Sequence, residues 1–469
     1  MNPPVISSQS SQSPSVGIVG GGLAGLAAAC ALADSGFRVT VFERRPFLGG
    51  RASSYEHPAT GEVVDNCQHV LFGVCTNLIE FYSRIGVDDK IRWSDDMTFI
   101  EPGGRRSVLR ATFLPPPFHT LPAFLGFPFL NASDKFAIAK AMTLLAPFPA
   151  KDTGESFSNW MERHGQTRNA VERFWKPVLI SALSDDLDRI SVSSAGQVVR
   201  ETMRSKTARR MGIPAIPLTQ LYTAAQDYIT ARGGEIRLRS SAEGLHPQPD
   251  TPGLNIAGNV TKFDFVVLAL PFFSLASVLP QNGASQPLRN QIAHFESSPI
   301  TGIHLWFDRQ ITDLEHAVLL DRTIQWMFHK SKLLGRNSEG SYVELVVSSS
   351  KSLIAKSKQE IVDMALAEAR EFFPEARTAN LLKSTVIKEV NATYSPRPGI
   401  DRQRPGQITA WPRVFLAGDW TATGWPATME GAVRSGYLAA EAIVRSAGQA
   451  DKAFVVRDLP ATGLMRLFP

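Results

Sequence analysis

Residues 16–43, VGIVGGGLAGLAAACALADSGFRVTVFE, limit most narrowly what this chain can fold into. VGIV (16–19) has the apolar pattern of a short buried strand. LAGLAAACALADSG (23–36) predicts a helix closed by Gly36, and FRVTVFE (37–43) a second strand ending in Glu43. Between them, Gly20 to Gly25 fit G-x-G-x-x-G, and Glu43 follows at close to the roughly 20-residue spacing of the dinucleotide-binding fingerprint. Gly20 allows the tight turn, Gly22 lets a pyrophosphate approach the backbone, and Gly25 lets helix and strand pack closely. The helix start at Leu23 and Ala24 offers free N–H groups and a positive dipole end to phosphates. Glu43 can accept hydrogen bonds from ribose hydroxyls. The same stretch holds 18 residues without a charge (16–33), long enough for a membrane span, but its glycines argue for a turn instead.

The remaining chain is ordinary in bulk. Its 469 residues are 43% hydrophobic and 20% charged, about three domains' worth of globular sequence. A net charge of +5 is too mild to point to nucleic acid but suits an anionic membrane surface. Cys30, Cys67 and Cys75 are too few for a disulfide framework, so a reducing compartment is expected. Residues 1–15, MNPPVISSQSSQSPS, are expected to be a disordered leader, without the basic start of a secretory signal. No HxxxH or CxxC pair occurs, so no metal is expected, and no GxSxG elbow occurs.

Just after the acid, ERRPFLGGR (43–51) places a glycine pair and an arginine. This resembles the extension found in FAD enzymes of the amine oxidase / phytoene desaturase superfamily. The resemblance implies a chain passing close to FAD around Arg44 and Gly50, with Arg51 donating to its phosphates; a guanidinium suits that role, a surface salt bridge being the alternative. A second piece, WPRVFLAGDWTATGWPATMEGAVRSGYLAAEAIVR (411–445), reads as a strand ended by Gly418-Asp419 and a long helix over 427–444. By the same resemblance Asp419 bonds the ribityl or pyrophosphate region, and Thr428, Met429 and Glu430 start a helix aimed at the flavin pyrimidine ring. A helix over 218–234, a strand over 235–245 and a strand over 263–271 complete the unit, with Ala242 implied near the adenine. The fold class expected is α/β: a Rossmann-like FAD-binding domain (16–85, 217–272 and 396–450) interleaved with an α+β substrate domain (86–216 and 273–395), then a tail (451–469).

In the substrate domain, 300–308, 323–329 and 341–348 read as strands and 357–373 as an amphipathic helix stopped by Pro374. ATFLPPPFHTLPAFLGFPFLNAS (111–133) holds five prolines and five phenylalanines, and AMTLLAPFPA (141–150) continues the pattern. A segment so broken cannot cross a bilayer as one helix; it is core and loop, a tunnel lining, or a dip into one leaflet. RETMRSKTARR (200–210) carries five basic residues on an expected helix, either a solvated face or a contact for anionic lipid.

DNCQHVLFG (65–73), ERFWKPVLISAL (172–183), HLWFD (304–308) and FLAGDWTATGWPATMEGAVRSG (415–436) together resemble the hydroxysqualene dehydroxylases, the squalene-associated FAD enzymes of hopanoid synthesis. That resemblance implies loss of the allylic hydroxyl of hydroxysqualene and its replacement by hydride from reduced flavin, giving squalene. Such chemistry needs a dry tunnel, a fixed donor–acceptor distance and a proton donor. His69 and Gln68 are the first candidates for that donor and Asp65 the next, although Asp65 also suits holding the turn. His304 and His329 read as satisfied core histidines. A carotenoid-type desaturase or amine oxidase on the same fold is the alternative, and a non-catalytic prenyl-lipid carrier a remote one. The expected partners are a long-chain isoprenoid, the inner face of the cytoplasmic membrane as a peripheral contact, and an electron donor the sequence does not identify. Related sequences usually carry glycine where Cys67 stands; Cys67 reads as a small filler, with redox work the other possibility.

Overall fold

The computed structural model describes residues 13–336, 340–450 and 452–468. Most of the expected leader lies outside the described residues; Ser15 already belongs to the first strand, its N–H and hydroxyl both donating to Asp264, at 2.8 and 2.7 Å.

Five parallel strands form the first sheet, in the order Glu235–Arg237, Arg38–Phe42, Ser15–Val19, Phe265–Leu268, Val414–Leu416. Strands from four separated stretches therefore share one sheet. The helix Leu23–Asp34 is buried at every position but its last, which is why it is built from alanine, leucine and glycine. It lies so close to the helix Met429–Ser446 that a Cβ on Gly436 would stand 2.2 Å from Ala24 O. Gly25 is as tight: a Cβ there would meet Gly20 O at 2.0 Å.

A second sheet of seven strands runs Leu381–Tyr394, Ser297–Phe307, Ser341–Ser348, Trp326–His329, His316–Leu319, Met97–Ile100, Arg106–Leu109. Its pairs are antiparallel except where His316–Leu319 meets Met97–Ile100. Alternation splits its side chains between two cores. Val343, Leu345, Val347 and Met327 pack under the helix Lys358–Phe372, whereas Val346, Trp326 and Phe328 face a helical lobe drawn from residues 127–199. A capping box between Ser357 and Glu360 opens the Lys358–Phe372 helix.

Two expected elements differ. The strand expected over 235–245 breaks: Glu235–Arg237 stays in the parallel sheet, the chain turns through Arg239 at φ 53°, and Ala242–His246 starts a separate three-stranded sheet. The basic helix expected over 200–210 ends at Met203, and a single 3-10 turn, Thr207–Arg209, follows. Its charges do not form one face. Arg200 and Arg204 pair with Glu201, Arg210 pairs with Asp95, and Arg209 turns inward. Among the described residues no helix is long and apolar enough to cross a membrane.

Candidate active site

A cavity of about 1270 Å³ begins at the C-terminal ends of the parallel strands and continues between the second sheet and the helical lobe. Its first part is a cleft walled by Gly20, Gly22, Leu23, Ala24, Glu43, Arg44, Gly50 and Arg51 from the N-terminal segment and Gly418, Asp419, Thr428 and Met429 from the C-terminal one. Ala242, at the start of its strand, also lies on this wall. Gly25 does not; it stands behind, where it lets the helix approach the first strand.

The cleft is bare backbone at its centre. Gly20 holds φ +109°, a conformation only glycine adopts cheaply. A Cβ on Gly22 would meet nothing nearer than Gly50 Cα at 3.8 Å, and Gly50, at φ +62°, faces it from the other glycine pair. Two chain segments thus approach without side chains beside a helix N-terminus, as a pyrophosphate requires. Glu43 accepts from Gly21 N and Arg45 N, each at 2.8 Å, which aims its carboxylate and leaves further lone pairs for ribose hydroxyls. Arg51 Nη2 contacts Asp419 Oδ1 at 2.5 Å and its Nη1 donates to Ala392 O at 3.1 Å. The arginine expected on phosphate therefore also ties the two halves of the cleft together. Thr428 caps the last helix by accepting from Gly431 N at 3.1 Å. Glu430 stands in the first turn of that helix beside the cavity, but its carboxylate is taken by Asn77, Leu78 N and Arg434, so it also braces a neighbouring helix. These residues fit FAD: a glycine cradle for the diphosphate, an acid for the ribose and a capped helix end for the flavin.

Beyond the cleft the wall passes along Asn66, Cys67, Gln68 and His69. The three candidates for acid–base work separate here. Asp65 is off the cavity wall, a correction to its place among them. It pairs with Lys330 Nζ at 2.6 Å and accepts from Ser54 Oγ at 2.6 Å and Leu218 N at 3.3 Å. Burial opposes its charge, but the Lys330 ammonium outweighs this and holds its carboxyl below the usual range. Gln68 is on the wall but its Oε1 accepts from the same Lys330 Nζ at 2.7 Å, and its Nε2 donates to His69 O at 3.0 Å. His69 lines the cavity with Nδ1 2.7 Å from Cys67 O. A ring nitrogen facing a carbonyl carries the proton, so Nε2 keeps its lone pair. Burial also pushes the His69 pKa down. It is a neutral acceptor rather than a ready acid.

Lys330 and Glu344 were not visible as site residues in the sequence. Both are buried, Lys330 at 3% exposure and Glu344 at 0%. Glu344 stands 3.8 Å from Lys330 Nζ, beyond hydrogen-bonding reach, and neither of its oxygens has a hydrogen-bond partner among the described residues. Burial raises its pKa to about 8, so it is mainly protonated at neutral pH. The one available signal was a lone acid inside the apolar strand SYVELVVS. His329 is satisfied in the core through Ser341 Oγ (3.0 Å) and Lys332 N (3.3 Å). His304 meets Tyr342 Oη at 2.9 Å, while its Nε2 has no partner among the described residues.

The far part of the cavity is an apolar tunnel. Phe99, Leu109, Phe124, Met142, Phe174 and Val178 are on its wall, with Trp326 and Phe328 from the second sheet. The proline- and phenylalanine-rich segment divides its work: Phe127 and Phe129 enter the core, Phe124 lines the tunnel, and Phe113 points out at 89% exposure.

A sequence profile of the family described as flavin containing amine oxidoreductase matches residues 23–444. A 15-cis-phytoene desaturase of Synechococcus elongatus is 28% identical over 458 residues, covering 92% of this chain and 95% of that protein. A zeta-carotene desaturase of Synechocystis is 27% identical, covering 92% and 97%. Among solved structures, putrescine oxidase bound to putrescine superposes with a TM-score of 0.71 at 15% identity, covering 92% and 99%.

Proposed function

The chain belongs to the flavin-containing amine oxidoreductases, FAD-dependent oxidoreductases, and we propose that within them it transfers hydride between FAD and a carbon of a long isoprenoid chain held in the tunnel. One observation carries this: the cofactor cleft and the apolar tunnel are a single continuous cavity. Bound FAD supplies a two-electron centre that accepts or gives hydride. The protein's own residues do the rest. The tunnel excludes water and fixes the chain against the cleft. Lys330 holds Gln68, Gln68 holds the His69 backbone, and the Nε2 lone pair of His69 is free to take a proton.

Desaturation is the direction best supported. The relatives are named phytoene and zeta-carotene desaturases, and removing a hydride from one carbon obliges a base to take the proton from its neighbour, a task that suits a neutral His69. Reduction of hydroxysqualene to squalene is the second reading, favoured by His119 and Arg209, whose buried polar atoms on the cavity wall lack partners among the described residues. Holoprotein should be incubated separately with phytoene and an acceptor, and with hydroxysqualene and a flavin reductant, and the products separated by chromatography. A desaturated polyene from phytoene supports the first reading and squalene from hydroxysqualene the second. If neither substrate turns over while the flavin is intact, the isoprenoid reading is wrong.

A substrate this apolar arrives from lipid, and we propose peripheral binding to an anionic bilayer at the inner face of the cytoplasmic membrane. Phe113, Phe136, Phe148 and Leu467 are exposed on the segment 111–150 and the tail. Phe148 and Phe468 rings meet at 5.6 Å, joining the two stretches. The helix Ala132–Leu145 shows Phe136, Lys140 and Leu144 to solvent while Ile138 and Met142 line the tunnel, so one element serves both surfaces. Replacing Phe113, Phe136 and Leu467 together by serine should abolish flotation with phosphatidylglycerol-containing vesicles. Unchanged flotation would reject this face.

A further inference from the structure

Almost every polar side chain along the tunnel has a partner. Ser181 Oγ accepts from Trp326 Nε1 at 2.7 Å, and Gln197 donates to Gly424 O at 2.7 Å. Thr143 and Thr202 donate to backbone carbonyls, and Glu201 pairs with Arg200 and Arg204. His119 and Arg209 are different. His119 is fully buried, lines the cavity, and neither ring nitrogen has a partner among the described residues. Arg209 lines the same cavity; its Nη2 donates to Leu109 O at 2.9 Å, while its Nη1 is buried without an acceptor among the described residues.

Neighbouring arginines show what is missing. Arg204, Arg210 and Arg110 are paired with Glu201, Asp95 and Asp96. Asp95 and Asp96 are close enough to influence Arg209, but no ion pair to it is formed among the described residues. Both groups line the one cavity and are tied to a single short stretch of chain, Arg209 through Leu109 O and His119 through its carbonyl, which accepts from Thr112 N at 2.6 Å. Burial and then the charges of Arg209 and Lys206 bring His119 down to about 4, so its imidazole is neutral, with one nitrogen donating and the other accepting. Buried polar atoms left unpaired are costly, and the other polar side chains named on this wall are already engaged with partners of their own.

We propose that His119 and Arg209 form an oxygen-recognition site in the tunnel wall, which takes a hydroxyl carried by an otherwise hydrocarbon isoprenoid. Arg209 Nη1–H donates to the hydroxyl oxygen, and the accepting nitrogen of His119 takes its proton as a hydrogen bond. A hydroxyl is the smallest group that answers both; a pure polyene answers neither. The site is locked to the loop that carries His69. Gly73 N donates to Arg210 O at 2.8 Å, Val74 N to Ala208 O at 3.2 Å, and a Cβ on Gly73 would stand 2.0 Å from Thr207 O. The position of the bound oxygen is therefore fixed against the flavin side of the cavity by backbone contacts. The inference rests on the tunnel being the isoprenoid site, and it favours an oxygen-bearing substrate whichever way hydride moves.

The test uses FAD-loaded protein and a pair of ligands with one carbon skeleton, hydroxysqualene and squalene, in detergent micelles, with perturbation of the flavin absorbance as the readout. Wild type should bind the alcohol at least tenfold more tightly than the hydrocarbon. Arg209→Met and, separately, His119→Phe should each weaken the alcohol about 10- to 100-fold, the range for a hydrogen bond to a charged or buried partner, and change the hydrocarbon less than twofold. Equal binding of both ligands by wild type would overturn the proposal without using any variant, and would mean that the pair holds only water. If neither ligand perturbs an intact flavin, the tunnel is not an isoprenoid site, and the function proposed above fails with it.

Discussion

The cleft and the tunnel share one cavity but are made of different material. In the cleft the wall is backbone: Gly20, Gly22 and Gly50 leave room, and Glu43, Arg51 and Asp419 are all held by bonds within the protein. In the tunnel the wall is side chain, contributed by helices, a proline-rich segment and two strands far apart in sequence, and His119 and Arg209 keep buried polar atoms without partners among the described residues. A cofactor with the same diphosphate in every turnover can be bound by fixed backbone geometry. A greasy substrate leaves its mark in packing, and only an unpartnered polar group betrays where it departs from hydrocarbon.

The largest effect that could break this contrast is expected at Gly25. A valine there would drive Cβ into Gly20 O, 2.0 Å away, and neither helix nor strand can yield. Overpacking of this kind costs about 1–3 kcal/mol or more. Gly25→Val should purify without flavin, or not fold, whereas the volume-conserving Met142→Leu in the tunnel should keep its flavin-to-protein absorbance ratio. Flavin retained by Gly25→Val would show that the backbone approach does not form the site.

Next comes the seam between the two regions. Lys330 neutralises Asp65 and positions Gln68 from behind the cavity wall. Lys330→Met leaves Asp65 buried without its cation, a loss of roughly 3–5 kcal/mol. A clear fall in melting temperature is expected, with Lys330→Arg recovering part of it. No change in melting temperature would mean that the pair is not structural.

Glu344, next to Lys330 and within the influence of the Asp65 charge, should act through pH. Its folded pKa, about 8, lies above the ordinary 4.5, so the folded state retains a proton that the unfolded chain releases. The contribution is full below pH 4.5 and is lost as pH rises towards 8. Glu344→Gln, which cannot ionise, should raise the melting temperature by about 2 °C near pH 8 and leave it unchanged at pH 4.5. An equal shift at both values would exclude this carboxyl as the cause.

The first region was legible in the sequence because its constraint is local. Gly20, Gly22, Gly25 and Glu43 lie within a few turns of chain, and their spacing states their geometry. The C-terminal half was legible through Gly418-Asp419 and the capped helix start, though the bracing role of Glu430 was not, because its partners, Asn77 and Leu78, come from a helix far away in sequence. The tunnel's chemistry was hidden for the same reason. Arg209 looked like one more charge on a basic helix; the helix stops at Met203, and the turn that follows rotates this arginine inward. His119 sat within a run of prolines and phenylalanines that composition marked only as greasy.

Cys67 should give the smallest effect, and it lies where the two regions meet. The thiol lines the cavity at 5% exposure. Its backbone is outside the left-handed region, so the position does not demand glycine. Burial, reinforced by the carboxylates of Glu344, Glu389 and Asp65, pushes its pKa well above the ordinary value, so the reactive thiolate is scarce. Cys67→Gly removes a small buried side chain and adds backbone freedom, at about 1 kcal/mol. Turnover should stay within about twofold of wild type, and the thiol in the folded protein should react with iodoacetamide far more slowly at pH 8 than a free cysteine does. Loss of most activity in Cys67→Gly, with flavin content intact, would instead place the sulfur in the chemistry and join cleft and tunnel through a redox group rather than a filler.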